Sequence, residues 1–378
     1  MGAHTGDVEP MPGYLELINR ASGVMLKSWR DCSHCGVELT TRTLLDHAYV
    51  TWTEIALFLF CAFLWTQIRR GLTESLFEPL ARWCRLLPKD AAKMPESAWK
   101  LVFYTMSWCY STYLLFFTSY PFFHNPPSVF YNWKSGMSVP IDIAIAYLIQ
   151  GSFYGHSIYA TVYMDAWRKD SAVMVVHHII TLALICFSYA FSYTCGLQAV
   201  VTPCRYHNVG ILVLFLHDVN DIQLEFTKLN VYLKSRGGGY FLLNDVLANM
   251  GSVSFSITWF WFRLYWFPLK VLYATCVSVP NIPFYFFFNT LLLALLLMNI
   301  YWFLFIVIFV VKLLKMNEVN DVREYEDEEG SKAAASLLRN PKAAATNRDS
   351  DHPNDDAGHH NSDDGKHVQN GVAKEKRL

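Results

Sequence analysis

Two histidines stand together in an otherwise apolar run, Val175-Val176-His177-His178-Ile179-Ile180. Some forty residues on, a second apolar run carries carboxylates: Leu216-His217-Asp218-Val219-Asn220-Asp221-Ile222-Gln223-Leu224-Glu225. On a helix, Asp218 and Asp221 are three apart and Glu225 is four beyond Asp221, so the acids form one stripe. Imidazole beside carboxylate suits general acid–base work, because the carboxylate fixes the tautomer and stabilises the charged ring. Imidazole can also accept an activated acyl group as a nucleophile. The same residue types could hold a metal, with His156, His177, His178 and Asp218 as the ligand set. Each residue has a plainer reading too: a satisfied core histidine for His156, and a wetted helix end for Glu225.

The surrounding elements decide whether these groups can meet. The 378 residues are 53% hydrophobic and only 17% charged, against roughly a quarter charged in soluble chains. Seven apolar stretches, about 50–67, 101–120, 139–163, 172–191, 206–226, 241–266 and 284–311, each approach the ~20 residues that cross ~30 Å of hydrocarbon. The expectation is an all-α polytopic membrane protein with about seven transmembrane helices and a disordered C-terminal tail. A soluble globule and a nucleic-acid binder are excluded as whole-chain readings. Helices joined by a short loop are usually antiparallel neighbours. His177, Asp218 and Asp221 then share a level roughly 8–12 Å inside one face at ~1.5 Å per residue. His156 falls at a similar depth.

Charge gives the orientation. With the C-terminus cytosolic, the cytosolic loops hold Arg69, Arg70, Arg82, Arg85, Lys89, Lys93, Lys100, Arg168, Lys169, Lys228, Lys234 and Arg236. The opposite loops hold Lys134, Arg205 and Lys270. This bias places the N-terminus in the lumen. The ending Lys374-Glu375-Lys376-Arg377-Leu378 has the spacing of a dilysine retrieval signal for the endoplasmic reticulum, a receptor-read address that works in the cytosol. The four segments expected are a lumenal 1–49, a first helix and loop at 50–93, a membrane domain at 94–315 and a tail at 316–378. Cys32/Cys35 and Cys195/Cys204 lie on the lumenal side, where a disulfide could persist. No G-x-S-x-G elbow, P-loop, G-x-G-x-x-G or H-E-x-x-H occurs.

The run from Leu216 to Asn230, with His177-His178 before it, resembles the Lag motif of the ceramide synthases, within the TRAM–LAG–CLN8 (TLC) membrane domain. Gly151-Ser-Phe-Tyr-Gly-His156-Ser-Ile-Tyr159, Met164-Asp-Ala-Trp-Arg168-Lys-Asp170 and Trp259-Phe-Trp-Phe-Arg263-Leu-Tyr-Trp-Phe-Pro268 look like the branch associated with stearoyl-CoA. Most members carry a homeobox-like segment between the first two spans. The 33-residue loop 68–100 cannot hold one, which fits the same branch. Residues 192–204 depart from the pattern and read as an insertion.

The resemblance implies transfer of a fatty acyl group from acyl-CoA to a sphingoid long-chain base, giving (dihydro)ceramide and CoA. Acyl-CoA is then a co-substrate, and no cofactor or metal is expected. It suggests His177 as acyl acceptor and His178 as an acid/base or orienting group, with Asp218 or Asp221 binding the ammonium and accepting its proton. Direct attack by the amine, with the histidines acting as base, stays open. Arg168, Lys169, Lys228, Lys234 or Arg236 would meet the CoA phosphates, and residues 268–283 would tune chain length. Membrane lipids surround the bundle, and a homodimer or a heterodimer with another ceramide synthase is the expected assembly. Two other readings of the same residues remain: an integral-membrane zinc-dependent lipid hydrolase, and a non-enzymatic lipid transporter or sensor on this fold.

Overall fold

The computed structural model describes residues 11–31, 50–130, 139–190, 206–277 and 285–316. Among these residues there are helices and turns and no strand. The insertion 192–204, both cysteine pairs, the retrieval signal and nearly all of the C-terminal tail lie outside them. All seven apolar stretches fold as helix, and an eighth long helix precedes them.

That helix, α1 (Tyr14–Asp31), is amphipathic. It was not foreseen within the N-terminal segment, because its mixed charges mask a short apolar face. Helix α2 (Trp52–Leu72) opens on a capping box, in which Thr51 accepts from Glu54 N and the Glu54 side chain accepts from Thr51 N. Two orphan N–H groups are thereby satisfied at the start of an apolar run. A π-turn (Thr73–Phe77) and α3 (Glu78–Trp83) prolong it. Helix α4 (Pro88–Phe116) starts with proline at its first position, where a missing N–H costs nothing. Then come α5 (Ile141–Tyr163), α6 (Ser171–Ala190) and α7 (Tyr206–Leu233).

Helix α8 (Leu242–Trp259) runs without a break into a π-helical stretch, Phe260–Leu272, and a short α9 (Tyr273–Val277). Helix α10 (Tyr285–Met316) closes the fold. The part of 268–283 expected as a connecting segment is therefore helical through Val277. Pro268 lies inside it, and one carbonyl of the stretch, Leu264 O, accepts the Tyr14 hydroxyl of α1 at 2.8 Å. The α7–α8 turn needs positive φ at Gly237 (62°) and Gly238 (76°), conformations that side chains resist.

Among the described residues, three segments are by themselves long and apolar enough to cross a bilayer: Trp52–Trp83, Ser171–Ala190 and Phe286–Val311. The others carry more Ser, Tyr, His and acid. Helix α7 is the central post, lying along α4 and α8 and touching α5 and α6. From Tyr206 to Asp218 almost every side chain is buried, whichever way it points. A helix wrapped by protein on all sides can carry polar residues that lipid would not accept.

Candidate active site

The site is built on α7, with α4, α5 and α6 around it. Asp218 is fully buried. Its Oδ2 accepts from Ser107 Oγ of α4 at 2.7 Å and from Gln150 Nε2 of α5 at 2.6 Å. Ser107 and Gln150 also touch each other. Asp218 Oδ1, also buried, has no partner among the described residues.

One turn beyond Gln150, on the same face of α5, Tyr154 carries the site across to α6. Its ring centroid lies 5.7 Å from that of His178 and 6.4 Å from that of His177. The two imidazoles are themselves 5.7 Å apart, both buried, and each has an Nδ1 without a partner among the described residues. The rings of Trp302 of α10 and His177 stand perpendicular, 5.3 Å between centroids. The carboxylates of Asp218 and Asp221 lie within electrostatic reach of Tyr154 and Tyr104. The histidine pair and Asp218 thus belong to one buried cluster, joined through Gln150 and Tyr154.

Asp221 has a different partner. It is paired with Arg263 of the π-helical stretch at 2.8 Å. Glu225 is bound to Lys228 on its own helix at 2.8 Å. His156 faces away from the cluster, since residues 154 and 156 are about 200° apart around a helix. Its Nδ1 meets Thr66 of α2 at 2.9 Å, and its ring packs on Trp99 and Phe153. Among the described residues no three His, Cys, Asp or Glu side chains form a group that could hold a metal. The set His156, His177, His178 and Asp218 is not gathered around one point.

The basic residues expected to meet phosphates have varied surroundings. Arg168 donates to Glu96 at 3.4 Å, and Lys228 is buried against Glu225. Arg236 stacks over Phe241, with 4.0 Å from guanidinium carbon to ring centre, and reaches Asn244. Lys234 lies 3.5 Å from Asp245, and Lys169 is exposed. Nearby, Asp165 gathers Arg69 and Lys100, and Lys100 also meets Glu96 at 2.6 Å. Burial alone would raise the Glu96 carboxyl, but the Lys100 and Arg168 charges outweigh it and hold it well below the usual carboxylate range.

Sequence reasoning did not single out Ser107, Gln150, Tyr154, Arg263, Asn299 or Trp302. Arg263 carried the clearest signal, a charge embedded in a run of aromatic residues. The two polar neighbours of Asp218 have no sequence mark that separates them from ordinary helix-packing residues.

Residues 93–308 match the TLC domain family. Over 339 residues, covering 88% of this chain and 93% of the relative, the sequence is 58% identical to human ceramide synthase 1. The mouse ceramide synthase 1 is 57% identical over the same coverage. Ceramide synthase LOH2 of Arabidopsis thaliana is 28% identical over 274 residues, 66% of this chain and 82% of the relative. The chain belongs to the TLC-domain membrane proteins and, within them, to the ceramide synthases. It is accordingly an all-helical, multi-pass membrane protein.

Proposed function

We propose that this sphingoid base N-acyltransferase works through the His177–His178 pair and Asp218, with the acyl group passing through His177. Membership of the ceramide synthases supplies the two substrates, a fatty acyl-CoA and a sphingoid long-chain base. An imidazole nitrogen of His177 attacks the thioester carbonyl, the C–S bond breaks, and CoA leaves as its thiol after taking a proton. His178 relays to the thiolate the proton that the acylated His177 ring loses. The sphingoid amine arrives mostly as ammonium and gives a proton to Asp218. The freed amine attacks the acyl-imidazole carbonyl, the amide C–N bond forms as the acyl–imidazole C–N bond breaks, one amine proton passes to the departing His177 ring, and Asp218 releases its own proton to water. The thioester is already activated, so alignment and exclusion of water carry much of the acceleration. The scheme needs no cofactor beyond the acyl-CoA.

A single observation carries this reading. Gln150, bound to Asp218 Oδ2, and Tyr154, one turn on along α5, join a carboxylate whose Oδ1 is open to a histidine pair whose Nδ1 atoms are also open. Intact-mass measurement after incubation with acyl-CoA alone tests it. An acyl-sized adduct that His177→Ala abolishes is the expected result. No adduct under conditions that support turnover would leave direct attack, with the histidines as base.

The topology we propose has seven crossings, a lumenal N-terminus and a cytosolic C-terminus in the endoplasmic reticulum. Contacts between loops support the alternation. Gly237 N donates to Arg85 O at 2.8 Å, joining two loops assigned to the cytosol. Lys270 donates to Phe123 O at 3.0 Å, joining two assigned to the lumen. Arg20 of α1 donates to Tyr273 at 2.7 Å, on that same lumenal side. A preference for stearoyl chains and assembly as a dimer complete the proposal, the first resting on the motifs shared with the stearoyl-CoA branch.

A further inference from the structure

Asp218 and Asp221 face the same side of α7, yet their surroundings differ. Two carboxylates one turn apart in a poorly solvated bundle repel, and one of them needs a counter-charge. Arg263, 3% exposed, meets this need for Asp221 at 2.8 Å. The same Nη2 donates to the backbone carbonyl of His217 at 2.8 Å, directly beside Asp218. The guanidinium lies 4.0 Å over the Trp259 ring, and Trp259 Nε1 donates to Asn299 O at 3.1 Å. His217 is held at both nitrogens. Nδ1 lies 2.8 Å from Val213 O, and because a carbonyl only accepts, the proton is on Nδ1. Nε2 then accepts from Asn299 Nδ2 at 3.0 Å. Four elements (α7, α8, the π-helical stretch and α10) are thereby locked around one cation. Asp218, held by two neutral donors, keeps one oxygen open.

We propose that Arg263 is a positioning residue of the acyl-transfer site: holding Asp221 as its counter-ion and clamping the His217 carbonyl, it leaves Asp218 as the carboxylate that meets the substrate amine. This rests on the reading of Asp218 given above. The two acids of the motif then have different work, one structural and one in contact with the amine.

Steady-state N-acyl transfer by the full-length protein, purified in detergent and normalised to its monodisperse fraction, tests this. Arg263→Gln is expected to lower kcat about 100-fold while KM for acyl-CoA changes by no more than about twofold. Arg263→Lys, which keeps the charge, should recover about tenfold of that loss. Asp221→Asn should cost about tenfold. In the double variant Asp221→Asn/Arg263→Gln the losses should not multiply, since each substitution breaks the same pair. The double variant leaves no unpaired charge, so it reports even if Arg263→Gln alone folds poorly. Multiplied losses, no rescue by lysine, or Asp221→Asn as inactive as Asp218→Asn would each overturn the proposal. Full turnover by Asp218→Asn would instead remove the underlying reading of the site.

Discussion

Two buried polar regions of this bundle are organised in opposite ways. Around Asp165, acids and bases meet in a chain: Arg69 and Lys100 on Asp165, Lys100 and Arg168 on Glu96. Charge answers charge across α2, α4 and the α5–α6 connection. Around Asp218 and the histidines the balance fails. Asp218 Oδ1, His177 Nδ1, His178 Nδ1 and Gln150 Oε1 are all buried and without partners among the described residues. An unsatisfied buried polar atom costs about 1–3 kcal/mol, so a cluster of four is expensive to maintain. A protein whose helices are otherwise well joined keeps such a cluster where something else completes it. The first region holds helices together; the second, on the proposed reading, is where substrate binds.

Substitutions should therefore separate the two regions. The largest effect is expected for His177→Ala and Asp218→Asn, each lowering turnover about 10³-fold or more, with an unchanged monodisperse peak in size-exclusion chromatography. Asp165→Ala should do the reverse. It strands the buried Arg69 and leaves Lys100 with Glu96 alone, costs about 3 kcal/mol of stability, and leaves turnover per folded molecule within about threefold. A thermal melt of the detergent-solubilised protein beside a rate assay makes the distinction, and equal rate losses in both regions would erase it. Glu96→Gln should be milder and pH-dependent. The depressed carboxyl of Glu96 stabilises the fold above the ordinary range of about pH 4.5, and this contribution fades as pH falls below it. The gap in unfolding temperature between parent and Glu96→Gln should therefore narrow on acidification. Ser107→Ala should have the smallest effect, about five- to tenfold in kcat, because Gln150 still holds the same oxygen.

Much of this was legible in the sequence, and the reasons differ by element. Apolar runs of the right length must form helices in lipid, since each backbone group has to be satisfied within the segment. The histidine pair and the acids stood out because charge or imidazole in such a run is costly and rare. A common depth was expected from helix rise together with the antiparallel course of neighbouring spans. The rotation of each helix about its own axis did not follow. His156 shares the level of the site but turns toward Thr66 and Trp99, and only packing against α2 and α4 decides that. Asp221 and Asp218 looked alike because nothing in α7 announces a cation arriving from residues 260–272. The helical course beyond Trp266 to Val277 was hidden as well, for Pro268 reads as a break in an α-helix.

Helix α10 looked like the plainest part of the chain, a long greasy rod, but its inward residues recur with a definite beat. Phe288, Leu292, Leu295, Asn299 and Ile306 are buried, with Trp302 between the last two, at alternating steps of four and three. An asparagine on that stripe, as Asn299 is, works like the tooth of a key. Sliding the rod by seven places would set Leu292 or Ile306 against the imidazole of His217, stranding both its nitrogen and the amide. The rod is thus notched to a single frame, and Trp302, one turn further on, meets the ring of His177 only in that frame.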